Sequence, residues 1–93
     1  MTPNRSPRGD VFFAVGDPNR RRILELLAEQ ERSVGALAAE LGIAQPSVSQ
    51  HLVVLRDVRL VESSKVGTSS VYRLVSEPLD QIMQWVRSLS STQ

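Results

Sequence analysis

The sequence contains no cysteine and a single histidine, His51. The first absence excludes disulfides, thiolate metal sites and cysteine nucleophiles. The second leaves one protomer unable to assemble a conventional four-ligand zinc or copper site, since those ions are held mainly by Cys and His. No run approaches the ~18–20 consecutive apolar residues that a membrane span needs, so no membrane partner is expected. The opening MTPNRSPRGD has no apolar segment behind its arginines, which is unlike a secretory signal. The expected location is therefore the cytoplasm. Glycines form no phosphate-binding loop: Gly16, Gly35, Gly42 and Gly67 punctuate turns or helices, and Gly9 lies in the N-terminal tail. Lysine is nearly missing too, because Lys65 is the only one among 11 basic residues. Arginine forks two donors onto phosphate or guanine as lysine cannot. GC-rich coding also favours arginine, so the excess alone identifies no partner.

The 93 residues, 41% apolar and 23% charged, have ordinary globular composition. They suffice for one domain, and a lone core of this size is marginal enough to favour oligomerisation. Residues 1–9, with two prolines and two arginines, read as a flexible basic tail, and residues 10–90 as the domain. An apolar patch, Val11 to Val15, ends at Gly16. Asp17-Pro18 is a helix start, with an N-cap acceptor followed by a proline whose missing N–H costs nothing in the first turn. Ile23, Leu24 and Leu27 form the inward face of a helix reaching about Gln30. Ser33 caps a second helix in which Val34, Leu37, Ala38 and Leu41 fall at i, i+3, i+4 and i+7. Gly42 ends it, and a third helix opens near Gln45-Pro46 with Val48, Leu52 and Leu55 inward. Two short helices joined by a glycine-started turn of three residues make a helix-turn-helix. Leu60–Val66 and Ser70–Leu74 around Gly67-Thr68-Ser69 read as a β-hairpin. A closing helix from a capping Ser76 to about Leu89 carries Leu79, Ile82, Trp85, Val86 and Leu89 on one wide apolar face.

The fold class predicted is mostly α with a small β-hairpin: a winged helix-turn-helix, whose second helix enters the major groove of double-stranded DNA. At ~100° per residue, Pro46, Ser49, Gln50, Val53 and Asp57 point away from the core, with Ser47 and Val54 flanking. A solvated surface helix usually shows Glu and Lys there. Here the face offers hydroxyls and amides, which bond base edges and phosphates. The expected DNA contacts are Gln45, Pro46, Ser47, Ser49, Gln50 and His51 from the helix, with Lys65, Thr68 and Arg73 from the hairpin.

The stretch Ala44-Gln45-Pro46-Ser47-Val48-Ser49-Gln50-His51-Leu52, continued by Val54-Leu55-Arg56-Asp57 and Leu60-Val61, resembles the recognition helix of the ArsR/SmtB winged-helix repressors. Asp17-Pro18-Asn19-Arg20-Arg21-Arg22-Ile23-Leu24 resembles that family's opening helix. Val66-Gly67-Thr68 with Val71-Tyr72-Arg73-Leu74 resembles its wing. The resemblance covers roughly residues 10–90. It implies a homodimeric transcriptional repressor on a palindromic operator, paired through its first and last helices. Three departures stand out. Val53 occupies a position where the family usually has lysine, so an apolar side chain faces either a thymine methyl or an unmade phosphate contact. Arg59 replaces a helix-ending glycine, which implies a left-handed arginine or a longer helix. The wing is weakly basic, with Ser64, Thr68 and Ser69 where arginine is frequent.

The family's metal-sensing ligands are absent as well. Val34 to Leu41 has no cysteine pair, and Leu79 to Leu89 has no histidine. No metal site and no cofactor are expected, and derepression falls to a small-molecule or protein effector or to repressor abundance. Catalysis is not expected either: His51 is the only conventional base and lies among DNA-facing positions, while Glu25, Glu29, Glu40 and Glu62 are explained by solvation. The proposed dimer contacts are Val11, Phe12, Phe13, Leu79, Ile82, Trp85, Val86 and Leu89, the alternative being that they complete a monomer core. A competing reading is a winged-helix protein-interaction module, which the weak wing charge and the Val53-Val54 pair also fit.

Overall fold

The computed structural model describes residues 10–90; the basic tail expected at 1–9 lies outside the described residues. The chain runs through helices α1 (Val11–Ala14) and α2 (Pro18–Glu29), then strand β1 (Arg32–Ser33). Helices α3 (Val34–Leu41) and α4 (Gln45–Asp57), strands β2 (Val61–Val66) and β3 (Ser69–Leu74), and helix α5 (Asp80–Ser90) follow.

The helix starts are written in short polar side chains. Asp17 accepts from the Arg20 amide at 3.0 Å, and Ser33 accepts from the Ala36 amide at 3.1 Å, each satisfying an orphan N–H of a first turn. Asp10 does the same for α1, taking the Phe12 amide at 2.7 Å. Gly42 leaves α3 at φ +70°, the left-handed conformation that glycine adopts without a Cβ penalty. Leu37, Ala38, Val48, Leu52 and Leu55 then meet Ile23, Leu26 and Leu27 in one core, with Leu60 and Val61 closing it. The helix-turn-helix is thus wedged onto α2, which leaves the opposite face of α4 open.

Helix α4 ends in a Schellman motif. The Leu60 amide donates to the Leu55 carbonyl and the Arg59 amide to that of Arg56, both at 2.9 Å, while Leu55 and Leu60 are fully buried together. Arg59 holds the left-handed position at φ 64°, alone among the described non-glycine residues. An L side chain there costs about 1–2 kcal/mol. Replacing Arg59 by Gly is expected to raise stability by about 1 kcal/mol and Tm by about 4–8 °C, the shift for a domain of this size. Thermal unfolding followed by circular dichroism checks this, and an unchanged or lower Tm would contradict it.

Four sequence expectations are corrected. Arg32 and Ser33 form a strand as well as a cap, pairing antiparallel with Tyr72 and Val71 to give a three-stranded sheet in the order β1-β3-β2. The hairpin turn is the two residues Gly67-Thr68, because Ser69 already pairs with Val66. Gly67 at φ +63° occupies the first turn position, where a tight hairpin demands positive φ. Ser76 does not cap the last helix. Its backbone is already helical at φ −85°, ψ −13°, so its carbonyl opens a 3₁₀ turn, Glu77–Leu79, ahead of α5. Val11, expected at a dimer face, is 3% exposed and belongs to the protomer's own core.

Candidate nucleic-acid interface

Helix α4 turns Val48, Leu52 and Leu55 into the core and leaves Pro46, Ser47, Ser49, Gln50 and Val53 exposed, as the helical period requires. Ser47, Gln50, His51, Val53 and Val54 line an open groove of about 550 Å³ together with Arg20. Hydroxyl, amide and imidazole groups thus share one surface with an aliphatic pair. Gln45 stands apart from them. Its amide nitrogen lies 3.5 Å from where a Cβ on Gly35 would be, so the side chain leans against α3 while staying exposed.

His51 sits at the edge of this face, half-buried, and its surroundings are defined. Arg20 Nη1 lies 3.4 Å from His51 Nδ1, and Asp17 Oδ2 lies 3.9 Å from Nε2. Burial pushes the Asp17 carboxyl upward, but the Arg20 amide, the pull of His51 and Arg20, and the Asn19 amide outweigh it. Its folded value is therefore lowered. The stability it contributes is present above the unfolded-state value and is lost as pH falls through the folded one.

Arg20 is the groove residue that sequence reasoning missed. It is 9% exposed, donates from Nε to the Ala14 carbonyl at 2.7 Å and from Nη2 to Phe13 at 3.1 Å, and stacks on the Phe13 ring at 5.0 Å. A cation thereby satisfies the C-terminal carbonyls of α1 while its third nitrogen faces the recognition helix. The signal was available, because Arg20 precedes Ile23 and Leu24 by three and four residues and so lies on the apolar stripe.

On the hairpin, Lys65 and Thr68 are exposed near the tip. Arg73 is exposed but committed: it pairs with Glu62, its direct cross-strand partner. Of the two basic wing residues, Lys65 is the one that makes no ion pair among the described residues. Elsewhere, Glu25 pairs with Arg22 at 3.3 Å and Glu29 with Arg32 at 2.8 Å, the ordinary use of surface carboxylates. Among the described residues no three His, Asp or Glu side chains gather as a metal site would require, and no helix is long and apolar enough to cross a membrane.

The expected dimer contacts divide. Phe12, Phe13, Trp85, Val86 and Leu89 are exposed, whereas Leu79 and Ile82 pack partly against the core. Phe12 and Trp85 meet edge to face, centroids 5.7 Å apart and planes at 83°, so α1 and α5 present one continuous apolar surface.

Comparison with known proteins agrees with this arrangement. The model of the bacterial regulatory protein family arsR matches residues 17–63, which hold α2, the helix-turn-helix and the first residues of the wing. The HTH-type transcriptional regulator KmtR of Mycobacterium tuberculosis is 43% identical over 74 residues, 80% of this chain and 57% of its own length. The chain therefore spans little more than half of that relative. The transcriptional repressor SdpR of Bacillus subtilis is 32% identical over 77 residues, 83% of this chain and 86% of the repressor. Among solved structures, an ArsR-like transcriptional regulator from Rhodococcus sp. RHA1 superposes with a TM-score of 0.81 at 31% identity, covering 87% of this chain and 74% of that one.

Proposed function

The chain belongs to the arsR family of bacterial regulatory proteins, and from that premise we propose that it is a repressor binding a palindromic operator as a homodimer. The observation that carries this reading is the surface of α4. It is exposed, lacks the Glu and Lys of a solvated helix, and presents Ser47, Ser49 and Gln50, whose hydroxyl and amide groups are of the kind that bond base edges. Lys65 and Thr68, with Arg73 once released from Glu62, supply wing contacts to the backbone. The dimer forms through Phe12 and Phe13 of α1 and Trp85, Val86 and Leu89 of α5, which leave an apolar face larger than one protomer covers. A two-fold protein matches a two-fold operator.

Regulation in this reading does not run through zinc, cadmium, copper or arsenite. Cysteine is absent, and the one histidine is engaged by Arg20 beside the reading head. Release therefore depends on an unidentified small-molecule or protein effector, or on the amount of repressor, acting by unequal affinity for the DNA-competent and incompetent dimers.

Gln50 provides the test. On an operator enriched from random duplexes, Gln50→Ala should cost about 1–3 kcal/mol and relax preference at one position per half-site. Lys65→Ala should instead weaken every duplex alike. Unchanged affinity and specificity in Gln50→Ala would overturn the orientation given to α4.

A further inference from the structure

We propose that Val53 is a specificity residue of the operator contact, packing against the C5 methyl of a thymine in the major groove. The proposal rests on α4 being the reading helix. Val53 lies on the outward face at 46% exposure and is not part of the core, which Val48, Leu52, Leu55 and, more peripherally, Val54 already fill from this helix. Nothing in the fold therefore requires a large apolar side chain at this position. It borders the groove that Ser47, Gln50 and His51 share, and a second shallow recess of about 330 Å³ formed with Arg56 and Asp57.

The chemistry narrows the ligand. Of the groups that unmodified base pairs present in the major groove, the thymine methyl is the one apolar group that projects from a base edge; the donors and acceptors are groups that a valine cannot satisfy. A β-branched side chain in a helix holds essentially one rotamer, so the Val53 methyls stand in a fixed place before DNA arrives. Val53 follows Gln50 by three residues, about 4.5 Å along the axis, while base pairs are spaced about 3.4 Å apart. The thymine consequently lies one or two base pairs from the base that Gln50 contacts.

The test starts from an unmethylated random duplex pool, so that a C5 methyl can come only from thymine. Operators enriched by the wild-type protein are compared with versions in which single thymines are replaced by deoxyuridine in both half-sites, a change that removes only the methyl. At one symmetric position, wild-type affinity should fall about four-fold per half-site, the worth of one buried methyl group. Val53→Ala should bind the thymine and uracil operators alike. Val53→Lys, which exchanges the methyl contact for charge, should bind all duplexes more tightly and also lose the distinction. Equal wild-type binding of every uracil version, or a thymine preference that survives in either variant, would overturn the role of Val53 while leaving the operator reading intact. Failure to enrich any sequence would overturn both.

Discussion

Replacing Val86 by Asp is expected to give a folded protein that sediments as a monomer at micromolar concentration and binds its operator at least ~100-fold more weakly. The surface at stake is made by the α1–α5 pair. Phe12, Phe13, Met83, Trp85, Val86 and Leu89 are all exposed on one protomer, Trp85 at 52% and Leu89 at 54%, and α5 buries no residue fully. Each aromatic side chain can bury ~150–250 Å² in a dimer. Val86 is the position to change because it lies outside the Phe12–Trp85 pair, so its replacement spares the contact that joins α5 to α1. In the proposed dimer a carboxylate at this position falls in the apolar interface, and leaving it unpaired there costs several kcal/mol. The loss on DNA follows from avidity: tethered half-site contacts gain about 10²–10⁴ over a single one. A V86D protein that still sediments as a dimer would place the interface elsewhere.

Arg20→Met is the second large effect, and it acts on the fold. The guanidinium supplies donors to the carbonyls of Ala14 and Phe13 at the end of α1, and the residue is buried. Methionine matches the bulk but donates nothing: the Phe13 carbonyl keeps the Gly16 amide at 3.0 Å, while the buried Ala14 carbonyl loses its Arg20 donor, which costs about 1–3 kcal/mol. The expected loss is about 1–3 kcal/mol, a sizeable share of the 5–15 kcal/mol of a typical domain. Arg20→Lys, able to reach one carbonyl, should recover part of it. Denaturant unfolding measures both, and a loss below about 1 kcal/mol in Arg20→Met would show that α1 is held by other contacts.

These residues also show where the sequence is legible. Asp17, Ser33 and Gly42 mark helix ends through local chemistry, and each acts in the structure as its residue type requires. The stripes of α3 and α4 are equally local, a matter of period alone. What escapes is set by tertiary context. Two residues of β1 are too short to show an alternation, and they become a strand only because β3 offers a free edge. Arg20 reads as one of three arginines in a row, but the two neighbours are exposed while the stripe carries Arg20 inward. Val11 reads as part of a surface patch, yet the single turn of α1 sends it inward with Ala14 while Phe12 and Phe13 face out. On the candidate interface, the helical phase of Ser47, Ser49, Gln50 and Val53 was readable from spacing. The turn of Gln45 toward Gly35 and the pairing of Arg73 with Glu62 were not, since each depends on a neighbour from another element.

The central claim, that the α4 face and the wing read duplex DNA, is tested most directly by measuring affinity for an enriched palindromic operator across salt concentration. The expected result is one dimer per operator, with log affinity falling linearly against log salt as phosphate counterions are released, and tighter binding to the operator than to scrambled duplex at every salt concentration. No duplex binding even at low salt, or binding without preference for the operator, would contradict it and favour a winged helix that recognises protein.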